Sequence, residues 1–512
     1  MKKVLFIISS SLCTSLLFAQ EPVDALRYSW TVPGGTARQQ AIGGAMGSLG
    51  GDISALFTNP AGLAFYKTGD LVFSPAYRFG NNKATYLGRT EKDKDKNFIL
   101  GTSGFVAGSG SDKKGRNAAF SFAINKNADF NSHILYRGAN NQSSYSQKFL
   151  EEISKGNIKD ANRVASGYPY GTSLAFNTYW IDTVGGSTNG NFSFQSRAPI
   201  ATGLLQQQEI NTSGGITEIS IGGAVTISDQ LMVGGALGVP ILNFNRESTF
   251  TEADASTNVT NKFDFATFTE NLNTKGAGVN IKAGLIFKPS DYLRLGLAVH
   301  SPTLYSLTDD YYASVTTNTE GYNGLLSDYS KDYNNGESSQ FKYSLATPFK
   351  AIASVSYVLR EVEDVTKQKG FLTADVEYIN YKSSSFMPDE ESTNDVDTKE
   401  YLKSLNKAID NAYKSSFNFR VGGELKFTTL MVRAGAAYYG NPYNNINGEK
   451  GSKLNLSGGL GYRNKGKFID LTYVHAMGKD VHFPYRLQGA PYSGAAIKST
   501  AGNLLVTVGF KF

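Results

Sequence analysis

Apolar and polar residues alternate strictly through the last quarter of the chain. Between residues 453 and 463 one face of an extended strand is apolar, and it carries Leu454, Leu456, Leu460 and Tyr462. The other face is polar, a turn follows at 464–466, and the alternation resumes from Ile469. Period-two alternation with a tight turn predicts a β-hairpin whose two faces meet different surroundings. Two architectures fit: a soluble sandwich with one wet face, or a membrane barrel with lipid outside and polar groups inside.

Similar patterns along the rest of the chain predict an all-β fold of about fourteen strands. The strands are expected near 70–79, 97–107, 117–130, 216–227, 230–245, 276–288, 291–316, 341–358, 370–382, 416–427, 429–439, 453–463, 466–476 and 502–512. The connections alternate between tight turns and long segments, and the long segments are 80–96, 131–215, 246–275, 317–340, 383–415, 440–452 and 477–501. Long loops at one end and short turns at the other are typical of outer-membrane barrels. The alternation therefore favours a transmembrane antiparallel barrel.

Two of the long segments contain helical patterns. In 397–413 the apolar residues recur at helical spacing, and 146–165 shows a weaker pattern of the same kind. These helices either cap the barrel or form a surface that collects a ligand, and the sequence leaves both interpretations open.

The beginning of the chain is typical of a secretory signal peptide. A basic start precedes an apolar run over 4–18, and cleavage is expected after Ala19, so that residues 1–19 are removed. The run of about 15 residues is short for a helix that crosses a bilayer, which needs roughly 20. Cleavage removes Cys13, the single cysteine, so we expect an exported protein without disulfides.

The composition agrees with a barrel. The mean hydropathy of −0.27 would indicate a soluble protein, but only every second residue of a barrel strand faces lipid. The 29 Tyr, 32 Phe and 54 Gly suit aromatic girdles and tight turns. A terminal strand that ends on Phe512 resembles the sorting signal of outer-membrane barrels, although Thr507 stands where that pattern usually has glycine. The net charge of +6 gives no reason to expect a nucleic-acid partner.

The sequence contains no motif that indicates a catalytic site or a metal site. The four histidines show no ligand spacing, so we predict no metal and no cofactor; they are His133, His300, His475 and His482. An outer-membrane lipid hydrolase is disfavoured because the sequence has no G-x-S-x-G motif, and we expect the protein not to be an enzyme.

Charged residues at predicted strand positions are expected to fill the lumen as ion pairs. The candidates are Arg294, Asp375, Glu377 and Asp470. The mixed charges of 92–96 fall in a predicted loop, so we interpret them as solvated.

A small, apolar and nearly uncharged segment, 41–66, stands directly ahead of the first predicted strand. It contains Asp52 and then the succession Asn59-Pro60-Ala61-Gly62, followed by Leu-Ala-Phe. Asp52 alone is explained as the cap of a short helix, and Asn-Pro is ordinary turn chemistry. The whole succession resembles the FadL/TodX family of outer-membrane transporters of long-chain fatty acids and other hydrophobic compounds.

This resemblance implies that residues 20–68 form a hatch, or plug, inside a barrel of 69–512. The hatch motif would be Asn59, Pro60, Ala61 and Gly62. In the family, ligand is caught at the extracellular loops, passes to an apolar pocket and leaves sideways at an inward kink of the third strand. That kink is expected at Asn125 and Asn127. Candidate ligand contacts are Leu56, Phe57, Phe65, Phe120 and Phe122.

The glycines of the predicted hatch allow two interpretations. Gly43, Gly44, Gly47, Gly50 and Gly51 either permit movement or allow close packing against the barrel wall.

The predicted function is outer-membrane transport of a hydrophobic compound. The expected setting is the outer membrane of a Gram-negative bacterium, and the expected partners of this monomer are membrane lipids and a hydrophobic small molecule or lipid. The alternative is a FadL-like barrel that binds protein as a shuttle in type IX secretion. The large 131–215 segment departs from the family pattern, so the substrate and the pocket residues are not carried over from it.

Overall fold

The structure is a computed structural model that describes residues 21–30, 34–110, 117–188, 190–359, 369–444 and 451–512. The predicted signal peptide, 1–19, lies outside the described residues. Among the residues described, no helix has both the length and the apolar character needed to span a membrane.

Within the described residues, fourteen wall strands form a closed antiparallel barrel, several of them built from two segments. In chain order the segments are β1 (Asp70–Phe73) with β2 (Pro75–Tyr86), β3 (Arg89–Leu100) with β4 (Ser103–Gly110), β5 (Asn117–Asp129) with β6 (Ser132–Asn140), the separate hairpin β7 (Ile181–Thr188) and β8 (Asn191–Ser196), β9 (Leu204–Ser228), β10 (Leu231–Asp254), β11 (Phe265–Phe287), β12 (Leu293–His300) with β13 (Leu304–Asn318), the added strand β14 (Leu325–Tyr329), β15 (Ser339–Ala346) with β16 (Lys350–Leu359), β17 (Gly370–Asn380) with β18 (Ser385–Pro388), β19 (Ser415–Phe427), β20 (Leu430–Tyr439), β21 (Lys453–Asn464), β22 (Lys467–His482) and β23 (Ala495–Lys511).

The helices lie in the N-terminal segment and in the connections. They are α1 (Pro22–Ser29), α2 (Ala37–Ala41), α3 (Ala55–Thr58), α4 (Ser146–Lys155), α5 (Ala161–Gly167), α6 (Thr172–Asn177) and α7 (Val396–Ala412), with 3₁₀ helices at Pro60–Phe65, Ser330–Asn334 and Tyr381–Ser383. The predicted helix over 397–413 is confirmed as α7, and the pattern over 146–165 corresponds to α4 and the start of α5.

The barrel closes where the last strand pairs with the first. Asp70 of β1 stands opposite Lys511 of β23, and Ala76 of β2 stands opposite Leu505. Phe512 continues this contact, since it exchanges backbone hydrogen bonds with Gly69 in both directions. The predicted fold, an all-β antiparallel barrel of about fourteen strands, is confirmed.

The two ends of the barrel differ. The turn end carries tight connections such as 229–230, 428–429 and 465–466, whereas the loop end carries the long connections 141–203 and 389–414. On the wall between the two ends, outward positions are apolar and exposed, which gives the barrel an apolar outer belt. Members of this belt include Leu71, Phe73, Ile241, Leu297, Phe419, Val421, Leu456, Leu460, Ile469 and Leu471.

The prediction of a loop over 80–96 is wrong. These residues are wall strand, because β2 and β3 are joined by a two-residue turn at Leu87 and Gly88, which have φ angles of 48° and 83°. Positive φ at both central residues is the geometry of the tight hairpin turn that suits twisted strands. The charges of 92–96 therefore do not lie in a solvated loop. They alternate along β3, with lysines on the outer face and aspartates on the inner face.

Two further loops are shorter than predicted. The 131–215 segment contains β6 and the first part of β9, and the 246–275 segment contains the ends of β10 and β11.

The connection that remains after β6 packs as a cap, in which Tyr145 stacks on Trp180 at 5.7 Å and lies 4.9 Å from Phe250. Whether this cap also collects a ligand stays a prediction.

Ion pairs fill the inner side of the wall toward the turn end. Arg433 is fully buried and binds Asp470 at 2.5 Å and Glu424 at 2.6 Å. Arg420 binds Glu377 at 2.8 Å. Glu377 and Asp470 thus form lumen ion pairs, as predicted from the sequence.

We predict that Arg433→Met lowers the free energy of unfolding of the barrel by about 3 kcal/mol, because it removes the nearest cationic partner of the buried Asp470 and Glu424. The measurement is denaturant unfolding in detergent micelles, followed by tryptophan fluorescence. Arg89→Met is the control, since Arg89 lies at the exposed end of β3, and it should leave the midpoint nearly unchanged. Equal shifts for the two variants would contradict a structural role of the buried pair.

Candidate functional site

The N-terminal segment, residues 21–30 and 34–68, lies against the inner wall of the barrel. Its backbone comes so close to the wall that a Cβ on the facing wall residues would stand within 3.0 Å of it or of Asn59. These wall residues are Gly234, Gly284, Gly296, Gly422 and Gly435. Wall glycines therefore create the room in which the segment sits.

Asn59 fixes the middle of this segment to the wall. Its side-chain amide donates to the carbonyl of Gly47 at 2.6 Å and to the carbonyl of Leu285 in β11 at 3.1 Å. Its carbonyl oxygen accepts from the backbone N–H of Ala61 at 3.1 Å and so caps the 3₁₀ helix Pro60–Phe65. Asn59 is fully buried, so each of these polar atoms needs its partner. The Asn-Pro-Ala-Gly succession thus forms a capped turn that is tied to the barrel.

Charged wall residues hold the stretch 46–49. The carboxylate of Asp375 accepts from the backbone N–H groups of Met46 at 3.0 Å and Gly47 at 3.1 Å. The guanidinium of Arg294 donates to the carbonyl of Leu49 at 2.8 Å. Arg294 and Asp375, expected from the sequence to belong to lumen ion pairs, both bind the backbone of the N-terminal segment. Sequence spacing could not show this, because the segment is far away along the chain.

Asp52, expected to cap a short helix, stands three residues before the first residue of α3, whose N-cap is Ser54. Its carboxylate accepts from the hydroxyl of Thr36 at 2.8 Å and from the backbone N–H of Ser54 at 3.0 Å. It therefore ties the beginning of the segment to the turn before α3.

The third wall strand is irregular where β5 gives way to β6. Its pairing with β9 shifts register between Lys126 and Ala128, which places Asn125 and Asn127 at the irregularity. The side chain of Asn125 accepts from the hydroxyl of Thr102 at 2.9 Å and donates to Asn127 at 2.6 Å. These two asparagines are the residues at which the sequence analysis expects a kink.

Beyond this irregularity the strand leans into the barrel. Arg78, on the inner face of β2, donates to Asp129 at 2.6 Å and to the carbonyl of Asn131 at 3.0 Å. Asn82, also on the inner face of β2, donates to the carbonyl of His133 at 2.8 Å. Residues 129–133 therefore lie over the first wall strand.

Because the third wall strand leans inward here, the backbone pairing of the wall is interrupted. Among the described residues, β4 pairs with β5 only up to Ser103 opposite Ile124, and β3 and β6 share no backbone ladder. Side chains bridge the gap instead. His133 of β6 contacts Asp93 of β3, and Arg137 binds Glu91 at 2.7 Å. We call this gap between β3 and β6 the seam.

The N-terminal segment covers the lower end of the seam. The carbonyl of Gly35 accepts from the backbone N–H of Thr102 at 3.1 Å. A Cβ at Gly34 would stand 2.3 Å from the side chain of Asn125. Only glycine fits here, so the segment and the irregular strand touch directly.

A cavity of about 510 Å³ lies inside the barrel next to the seam. Its apolar lining comes from the N-terminal segment and from both sides of the wall, and it includes Val23, Leu26, Trp30, Ile99, Phe130, Ile134, Val474, Met477 and Leu505. Charged residues also line it, among them Arg27, Arg78, Asp95, Lys126, Asp129, Lys453 and Asp480.

A second, much smaller cavity of about 80 Å³ lies on the other side of Gly34 and Asn127, which line both. Its walls carry the ion pair of Lys282 with Glu218 and the pair of Glu377 with Arg420. The interior of the barrel thus changes from a mixed, partly apolar cavity to a narrow, charged one.

The predicted ligand contacts lie elsewhere. Leu56 is fully buried against the wall, and Phe57 lines the small charged cavity. Phe65 lies 4.5 Å beneath the guanidinium of Arg294.

Phe120 and Phe122 are 49% and 39% exposed on the outer face of β5, where both lie beside Phe105. The prediction that they line an inner pocket is corrected, because the alternation of β5 points its aromatic residues outward.

The cavity residues were missed by the sequence analysis. Trp30, Phe130 and Met477 come from three distant parts of the chain, so no local motif joins them. One local signal existed: Phe130 stands three residues after the Asn125–Asn127 break in the third predicted strand.

The histidines take part in separate polar contacts. His133 lies between Asp93 and Glu209, and His300 contacts the carbonyl of Thr58 at 2.8 Å. His482, at the loop end of β22, contacts the hydroxyl of Tyr136 at 2.7 Å, and burial lowers the pKa of His482 to about 4. In the part of the chain that the structure describes, no group of three His, Asp or Glu residues is arranged to hold a metal ion.

The fold is shared with solved outer-membrane proteins. The structure is similar to that of a Pseudomonas aeruginosa FadL homologue, with a TM-score of 0.54 and 13% identity over 94% of this chain and 100% of the other. It is also similar to the Pseudomonas putida toluene transporter TodX, with a TM-score of 0.50, 13% identity and the same coverages. The resemblance stated from the sequence is confirmed at the level of the fold. No family model and no curated protein sequence matches the chain.

We predict that Asn59→Ala loosens the N-terminal segment without unfolding the barrel. The substitution leaves two buried carbonyls and the N–H of Ala61 without the Asn59 side chain, a loss of about 1–3 kcal/mol for each unsatisfied group. Backbone amides of 34–68 should then exchange hydrogen roughly tenfold faster or more, whereas amides of the wall strands keep their rates. Asn464→Ala, at an exposed turn, is the control. Unchanged exchange in 34–68 would contradict the anchoring role of Asn59.

Proposed function

We propose that the protein is an outer-membrane transporter of small hydrophobic compounds, with the N-terminal segment as a hatch. The observation that carries this proposal is the cavity of about 510 Å³ beside the seam. Its volume lies within the range of roughly 300–1,000 Å³ that is usual for small-molecule sites. The turn end would face the periplasm and the loop end the exterior, as in outer-membrane barrels.

The mixed lining suits an amphipathic or aromatic ligand. Trp30, Phe130 and Leu505 offer apolar surface, on which each buried methylene of a ligand gains about 0.8 kcal/mol. Arg27 and Lys126 line the same space, and both would donate hydrogen bonds to the carboxylate of a ligand. Long-chain fatty acids and aromatic hydrocarbons both meet this description, and one of the similar structures is that of a toluene transporter.

The direct way through the barrel is unfavourable for such a ligand. On the other side of Gly34 and Asn127 the lumen narrows to the charged space around Lys282, Glu218 and Glu377. An apolar molecule there would have to displace hydrogen-bonded charges, which is costly in a buried site. The seam offers a shorter path, because no backbone ladder has to break between β3 and β6. We therefore propose lateral release at the seam, gated by movement of the hatch at Gly34 and Gly35.

The shuttle role in protein secretion stays as the alternative. It would require a protein partner at the loop end, and the cap over 141–203 is the surface on which such a partner would be sought. Partner binding together with no uptake of hydrophobic compounds would favour it.

We predict that linking Thr102 to Asn125 across the lower end of the seam blocks release. In the double variant Thr102→Cys/Asn125→Cys, a short methanethiosulfonate linker should reduce uptake of labelled fatty acid or aromatic hydrocarbon into liposomes at least about fivefold, and reductant should restore it. The side chains of Thr102 and Asn125 touch at 2.9 Å, so the linker spans them. The native chain adds no competing thiol once Cys13 is removed with the predicted signal peptide.

The matched control is Thr249→Cys/Thr269→Cys, a facing pair 3.4 Å apart on the regular ladder of β10 and β11. Linking this pair should leave uptake unchanged. Equal inhibition by both linkers would contradict lateral release. Absence of uptake by the unmodified protein, together with no binding of an apolar ligand, would contradict transport itself.

A further inference from the structure

Four lysines stand directly opposite one another across four neighbouring wall strands. Lys92 of β3 faces Lys83 of β2, Lys83 also faces Lys498 of β23, and Lys498 faces Lys479 of β22. All four are exposed. Residues directly opposite in antiparallel strands project to the same side of the sheet, here the outer face. We call Lys92, Lys83, Lys498 and Lys479 the lysine row.

The row lacks acidic neighbours on its own face. Lys94 and Lys96 continue it along the outer face of β3. The acidic residues of the same strand project to the inner face, where Asp95 lies near Arg78 and Asp93 contacts His133. Among the described residues, these lysines form no ion pair.

In the absence of a bound anion, this arrangement lowers the stability of the sheet. Like charges placed directly opposite in a sheet destabilise it, and the row contains three successive pairs of this kind. An external anion that neutralises the row would remove this repulsion.

An outward-facing groove of about 540 Å³ lies just below the row, on the side of the apolar belt. Its walls carry Tyr77, Phe79 and Tyr473, and the rings of Phe79 and Tyr473 stack at 6.3 Å. Lys94, Asp95 and Lys96 border the same groove, and Asp95 does so from a position on the inner face of β3. Aromatic rings at this height are typical of the boundary between hydrocarbon and headgroups.

We propose that the lysine row and this groove together bind a membrane lipid that carries more than one phosphate. The phosphates would lie on the row and the apolar part of the lipid in the groove. The inference rests on the proposed outer-membrane setting, in which the loop end of the wall meets the outer leaflet. The row spans roughly 14 Å across four strands, so one phosphate cannot contact all of it. Lysine ammonium groups bind phosphate as point charges.

The test uses the complete processed protein in nanodiscs of zwitterionic phospholipid. Binding of diphosphorylated lipid A is measured by native mass spectrometry and by displacement of a fluorescent analogue. The variant Lys83→Gln/Lys92→Gln/Lys479→Gln/Lys498→Gln should lower the affinity at least about tenfold, since each lysine near an anionic surface contributes to binding. The unmodified protein should prefer the diphosphorylated lipid to its monophosphorylated form.

The matched control removes four exposed lysines elsewhere. Lys399→Gln/Lys403→Gln/Lys407→Gln/Lys414→Gln changes the net charge equally, in and just after α7. It should leave lipid binding unchanged. Equal losses in both variants, or no preference for the second phosphate, would overturn the inference. Full displacement of the lipid by millimolar inorganic phosphate would also overturn it, because the groove would then contribute nothing.

Hydrocarbon uptake measured on the same proteins separates this inference from the proposed transport. Loss of lipid binding in the lysine-row variant with normal uptake supports the lipid site independently. Lipid binding by a protein that neither takes up a hydrophobic compound nor binds an apolar ligand in its cavity would overturn the transport proposal and leave the lipid site standing.

Discussion

The close approach of the N-terminal segment to the barrel wall is the constraint on which the interior depends. The segment has room only because the wall residues that face it are glycines, among them Gly284 and Gly435. Asn59 and Asp375 then fix its backbone by hydrogen bonds that no solvent can replace. Of the five glycines in this segment, Gly43 and Gly47 pack closely against the wall, whereas Gly50 packs against Phe65 of the segment itself and a Cβ at Gly51 would meet no atom within 4 Å. Any movement of the segment has to begin where these contacts are fewest.

The interior of the barrel contains two regions of different polarity. On the inner side, buried ion pairs such as Arg433 with Asp470 fill the space toward the turn end. Beside the seam, Trp30 and Phe130 create a partly apolar space instead. The irregular third strand separates the two, because Asn127 lines both cavities. One strand irregularity therefore produces the inward lean, the gap in the wall and the boundary between two interior environments.

Much of the fold could be predicted from the sequence, because alternation reports directly on a wall with lipid on one side. The prediction failed at 80–96, where both faces of the strand are charged and the alternation is one of sign rather than of polarity. It failed for Phe120 because an aromatic residue on a barrel strand is as suited to lipid as to a pocket. The cavity could not be predicted at all, since Val23, Ile99 and Leu505 meet only after closure of the barrel.

A closed barrel normally has no free strand edges, yet the seam restores two of them within the wall. Free edges invite β-augmentation by other chains, and natural proteins protect them with charges, especially lysine. β3 carries this protection on both faces, with Lys92 and Lys94 outside and Asp93 inside. The same charges that interrupt the alternation thus protect the two strand edges at the seam from pairing with neighbouring chains in the membrane.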